Sequence, residues 1–131
     1  MIEREYRVLQ RKAWENRRMA SLAVEDGLEE QAIANFHLAI EILLKAVLSK
    51  EGLNYPKTHD LGTITDVSGL DGMKILRNAI YANSVVRPMW DIIRGVWGPS
   101  KRYELGSEAA DYSDLFNAYE GVYEWIENKF F

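Results

Sequence analysis

The sequence contains no cysteine, which excludes disulfide bridges and thiolate metal centres at once. Histidine is almost as scarce. His37 and His59 are the two present, and no Glu-x-x-His pair accompanies them, so neither a metal site nor a carboxylate-bridged di-metal bundle is expected. Charge of one sign does not dominate: 16 Lys and Arg stand against 20 Asp and Glu, a formal charge of −4. That balance argues against wholesale coating of nucleic acid and leaves room for a local basic stripe. Long apolar runs are missing too. The most apolar stretch, residues 32–48, is interrupted by Asn35, His37, Glu41 and Lys45, which reads as too broken for a span of roughly 20 clean residues. Ile2-Glu3-Arg4-Glu5 carries no signal core. No membrane contact is expected, and the expected location is cytoplasmic. Internal repeats, low-complexity tracts and alternating strand patterns are also lacking.

What is there suits one domain spanning residues 1–131. Apolar residues make up 47% of the 131 and charged residues 27%, enough to build a single core. In a first helix over residues 3–24, Ile2, Tyr6, Leu9, Ala13, Ala20 and Ala23 form a narrow seam at the helical period, with Asn16 as a polar intruder. Arg4, Arg11 and Arg18 recur a heptad apart on the opposite side, with Arg7 beside them. Asp26-Gly27 ends the helix. A second helix over residues 28–50 is apolar on most of its circumference, as a central helix must be. Its polar stripe is His37, Glu41 and Lys45, in the favourable order for a Glu-to-Lys pair.

Shorter elements follow. Thr58 is a natural N-cap for a helix over residues 59–66, another helix covers residues 71–83, and Pro88 marks a break or a first turn. Met89, Trp90, Ile93 and Trp97 continue helically until Gly98-Pro99. Ser107 reads as the cap of a last helix, with Glu108 and Asp111 at the positive end of its dipole. Tyr112, Leu115, Phe116, Tyr119, Val122, Tyr123, Ile126 and Phe130 give it an apolar face. The fold class is therefore all-α, an up-and-down helical bundle of three long helices plus two or three short ones.

Ala34-Asn35-Phe36-His37-Leu38-Ala39-Ile40-Glu41-Ile42-Leu43-Leu44-Lys45-Ala46 resembles the signature helix of the HEPN family, in which a Glu stands four residues before Lys-Ala. Thr58-His59-Asp60-Leu61, Arg102-Tyr103 and Trp125-Ile126-Glu127 extend the resemblance over essentially the whole chain. It implies a bundle that usually dimerises and that occurs beside minimal nucleotidyltransferases, in toxin–antitoxin pairs, or as an RNA- or nucleotide-directed module. A homodimer with a nucleotidyltransferase partner, or with a nucleotide or RNA ligand, is the expectation it carries.

Ribonucleases of that family carry an Arg followed after four to six residues by His. Arg77-Asn78 looks like such a start, but Ala82, Asn83 and Ser84 occupy the positions where His would fall. Imidazole exchanges a proton near neutral pH, whereas Asn and Ser do not. The reading favoured is a non-catalytic interaction module with no cofactor; the alternative is an RNA endonuclease or toxin component with an altered site around Arg77, Asn78 and Asn83. Arg77, Asn78, Asn83, His59 and Arg102 are the candidate ligand-binding residues. Arg4, Arg7, Arg11 and Arg18 could track phosphates, but their placement away from the apolar seam favours a solvated outer face. His59 is expected to pack or hydrogen-bond locally beside the Thr58 cap. His37 is expected to be a satisfied polar residue between helices, and the tryptophans to lie in the core or a dimer interface.

Overall fold

The computed structural model describes residues 2–96 and 111–131, with side chains described from residue 5 onward in the first segment. Among the described residues there are six helices and no strand: α1 Ile2–Glu25, α2 Glu29–Lys50, α3 Leu61–Thr65, α4 Ile75–Ala82, α5 Val86–Ile93 and α6 Tyr112–Phe130. The all-α bundle follows from the apolar periodicity, with three long helices and three short ones.

Two left-handed glycines shape the first half. At Gly27 (φ 72°) the Leu28 N–H reaches the Ala23 carbonyl at 2.8 Å, and the Gly27 N–H reaches Val24 at 3.1 Å. At Gly52 (φ 75°) Leu53 and Gly52 repeat the arrangement onto Leu48 and Ser49. Both are Schellman caps, whose C′ position favours glycine because a Cβ is strained there. The first reverses the chain so that α1 lies along α2. Ala13, Ala20 and Ala23 are buried in that contact, and their small side chains let the two helices pack closely.

α2 is the centre. Ala32, Ile33, Ala39, Ile40, Leu43, Leu44, Val47 and Leu48 are all fully buried. α1 covers one side, α6 another, and α3 touches it as well. By length and composition α2 does qualify as a membrane-crossing helix, contrary to the expectation drawn from its polar interruptions. Yet 78% of its most apolar window is buried inside the bundle, which is the situation of a core helix.

Several boundaries differ from the sequence reading. α3 starts at Leu61 with Asp60 as its cap: the Asp60 carboxylate accepts from the Thr63 N–H at 3.2 Å. Thr58 does not cap it; its hydroxyl accepts the Asp60 N–H at 3.1 Å and shapes the preceding turn. α4 begins only at Ile75, because Asp71 and Gly72 are used in a turn in which Asp71 Oδ1 accepts from the Met73 N–H at 2.9 Å. Pro88 sits in the first turn of α5, where backbone N–H groups have no helical acceptor. α6 begins at Tyr112, and its cap is Asp111, which accepts from the Asp114 N–H at 2.9 Å. Ser107, Glu108, Trp97 and Gly98-Pro99 lie outside the described residues. Trp90 and Tyr123 are core, only 1% exposed each, whereas Trp14 is 50% exposed.

α6 is tied back to α1 by an arginine that the seam analysis leaves out. Arg17 bonds to Glu120 and, at 3.1 Å, to Glu124, with its guanidinium 4.7 Å from the centre of the Tyr123 ring.

Candidate functional site

Two side-chain clusters stand out, one at the α4–α5 corner and one along α2. At the corner, the half-exposed ring of Tyr81 at the end of α4 is met by three arginines. Arg77, one turn earlier, lies 5.4 Å from the ring centre, Arg87 from α5 lies 4.8 Å from it, and Arg94 Nη1 donates to the phenol oxygen at 3.4 Å. Arg77 and Lys74 share one carboxylate, Asp66, at 3.4 and 3.8 Å, and Arg94 pairs with Asp91 at 3.4 Å. Lys74, Arg77, Arg87 and Arg94 thus face Asp66 and Asp91, four positive charges against two negative. Beside them opens a cavity of about 520 Å³ lined by Tyr81, Ala82, Ser84, Arg87, Pro88 and Asp91, among others.

Of the residues expected at this corner, Arg77 is in place and Asn78 is exposed on α4. Asn83 has another task. Its Oδ1 accepts from the N–H groups of Val85 and Val86, both at 3.0 Å, so it organises the start of α5. Arg87 and Arg94 were not singled out by sequence. Their signal was only spacing, a seven-residue step that places both on one side of a short helix. Arg102 and the side chain of Arg4 lie outside the described residues. Arg7, Arg11 and Arg18 are exposed on α1; Arg18 rests 5.9 Å from the Trp14 ring, and Arg7 and Arg11 share a shallow groove with Glu127.

The second cluster joins residues that sequence reading kept apart. His59, in the loop before α3, places Nδ1 2.7 Å from Glu41 Oε1, and Lys45 Nζ donates to Glu41 Oε2 at 3.2 Å. His59 therefore reaches across to α2 instead of bonding only within its own loop. Its side chain is 63% exposed while that of Glu41 is 5% exposed. His37 lies between helices, as expected, with Nδ1 3.1 Å from Tyr119 Oη and Nε2 3.2 Å from the His59 carbonyl. A carbonyl only accepts, so Nε2 carries hydrogen. Burial pushes the His37 pKa below its usual value, which leaves Nδ1 as the acceptor for the Tyr119 hydroxyl. Among the described residues no group of His, Asp and Glu could hold a metal ion.

An all-α bundle in which a Glu–Lys pair on the central helix is locked to the histidine of a Thr-His-Asp-Leu loop defines a helical domain of one recognisable build. The chain belongs to the HEPN family: the family model described as HEPN domain matches residues 6–129. Neither a curated protein nor a solved structure matches it. HEPN domains are nucleotide-binding or ribonuclease-type modules.

Proposed function

We propose that this HEPN domain binds a phosphate-bearing ligand, RNA or a nucleotide, at the α4–α5 corner without cleaving it. It would act as a homodimeric module beside a partner protein such as a minimal nucleotidyltransferase. The observation carrying this reading is the convergence of Arg77, Arg87 and Arg94 on Tyr81 beside a cavity that Ala82 and Ser84 line. Guanidinium groups match phosphate oxygens in charge and in fork geometry, and an aromatic face offers a base a surface to stack on. Transfer of a proton during RNA cleavage needs a group that takes and gives it near pH 7. Ala82, Asn83 and Ser84 supply no such group, and the Asn83 carboxamide oxygen is already committed to the α5 backbone.

The test pairs binding with cleavage on one RNA. Wild-type protein should bind a labelled single strand in a salt-sensitive manner and leave it intact. Arg87→Ala should weaken binding across sequences. Cleavage by the wild type that Arg77→Ala abolishes would instead establish the endonuclease reading.

A further inference from the structure

Away from the arginine corner, α2 is buried along most of its length and borders a groove on one face. A groove of about 350 Å³ runs beside Gln31, Ala34, Asn35, Leu38 and Glu41, with His37 and His59 closing it. Gln31, Ala34, Asn35, Leu38 and Glu41 share one face of α2, and the ten residue steps from the first to the last cover about 15 Å of helix. The volume lies at the lower end of the range for small-molecule pockets.

Asn35 sets this groove apart. The residue is 93% buried, lines the groove, and has no side-chain hydrogen bond among the described residues. Its amide atoms are not among the fully buried unbonded ones, so they open into the groove, where a bound molecule can meet them in place of water. Its donor and acceptor stand side by side, so it complements a planar edge with an acceptor next to a donor. Charge narrows the class further. The Glu41 carboxylate is contacted by both Lys45 and His59, burial disfavours the cationic form of His37, and among the described residues no Lys or Arg lines the groove. A phosphate or carboxylate would find no unmatched cation there, whereas the arginine corner provides them.

We infer that the α2 groove is a second binding site, for a small uncharged planar molecule carrying an amide- or amidine-type edge, read by the paired donor and acceptor of Asn35. Gln31, one turn before Asn35 at the exposed rim, offers a further carboxamide, and Ala34 and Leu38 give the flat molecule an apolar wall. The same edge is found on free nucleobases and on primary amides.

Calorimetric titration of the whole chain with uracil, adenine and nicotinamide distinguishes these sources, and 1,3-dimethyluracil, which keeps its carbonyls and lacks N–H, is the control. Saturable binding is expected for at least one of the three. A preference for uracil or adenine identifies a base, and a preference for nicotinamide identifies a primary amide. Dimethyluracil should bind about tenfold more weakly than uracil if uracil binds, as for loss of a two-bond contact. Asn35→Leu and Asn35→Ala should each lower affinity about tenfold while circular dichroism stays helical. Absence of saturable binding to all three, or folded Asn35 variants that bind as the parent does, overturns the inference. Saturable binding by the parent chain, or its absence, is read without any variant, so a folding defect in either substitution leaves the test intact.

Discussion

Replacing Lys45 with methionine tests the polar cluster on α2 quantitatively. Glu41 and Lys45 have side chains only 5% and 14% exposed, and their charged atoms are 3.2 Å apart. At an effective dielectric of about 20, charges at that separation attract by about 5 kcal/mol. Relief of the ammonium's own desolvation offsets part of the loss, and the His59 contact to Oε1 remains. The expected net destabilisation is about 3 kcal/mol, the lower end of the range for leaving one partner of a buried pair alone. With a urea m-value of about 1.5 kcal/mol per molar, the midpoint should fall by about 2 M. The double variant Glu41→Leu with Lys45→Met removes both charges, and His59, largely exposed, can turn to water. It should recover to within about 1 kcal/mol of the parent. A Lys45→Met midpoint within about 0.5 kcal/mol of the parent in stability would refute the reasoning and mean that the pair is well solvated.

Leu43→Ala, at a fully buried position in the middle of α2, should destabilise by about 2–5 kcal/mol in the same assay through lost transfer energy and a residual cavity. His37 gives a pH dependence. Its folded pKa lies below the unfolded value near 6.5 because burial disfavours the cation, so the unfolded chain takes up the proton first. Its contribution should be full above about pH 6.5 and fall as the pH drops below that. His37→Gln should flatten this part of the stability profile between pH 7.5 and 5. Sedimentation at tens of micromolar should show a two-fold dimer. The apolar surface available for it includes Val8, Trp14, Met19, Leu22 and Leu28, which are half-exposed. A monomer throughout that range would remove the dimer from the account.

Much of the fold could be read from residue order because it is local. The three-and-four rhythm of α2 and α6 and the glycines after α1 and α2 act within one or two turns of chain. Short helices were harder. Thr58 and Asp60 are both acceptable caps by type, and the choice of Asp60 depends on the Thr63 N–H that its carboxylate meets. Long-range polar pairing was not legible. His59 and Glu41 lie 18 positions apart, and Arg17 and Glu120 lie 103 apart; no spacing rule links them. The stripe His37, Glu41, Lys45 did mark a polar face on an otherwise apolar helix, but its partner loop could be known only once α3 had been docked. The arginine corner was half visible, through Arg77. Arg87 and Arg94 joined it because Asn83 turns the chain so that α5 folds beside α4.

The most direct measurement is the salt dependence of affinity for a fluorescent single-stranded RNA, read by anisotropy and followed by a gel of the same sample. With three phosphate contacts from Arg77, Arg87 and Arg94, the logarithm of affinity should fall against the logarithm of salt with a slope of about −2. The triple variant with all three arginines changed to alanine should lose most of both affinity and slope, and the recovered RNA should be intact. Parent-like binding by the triple variant, or RNA cut by the wild type and spared by Arg77→Ala, would contradict the account.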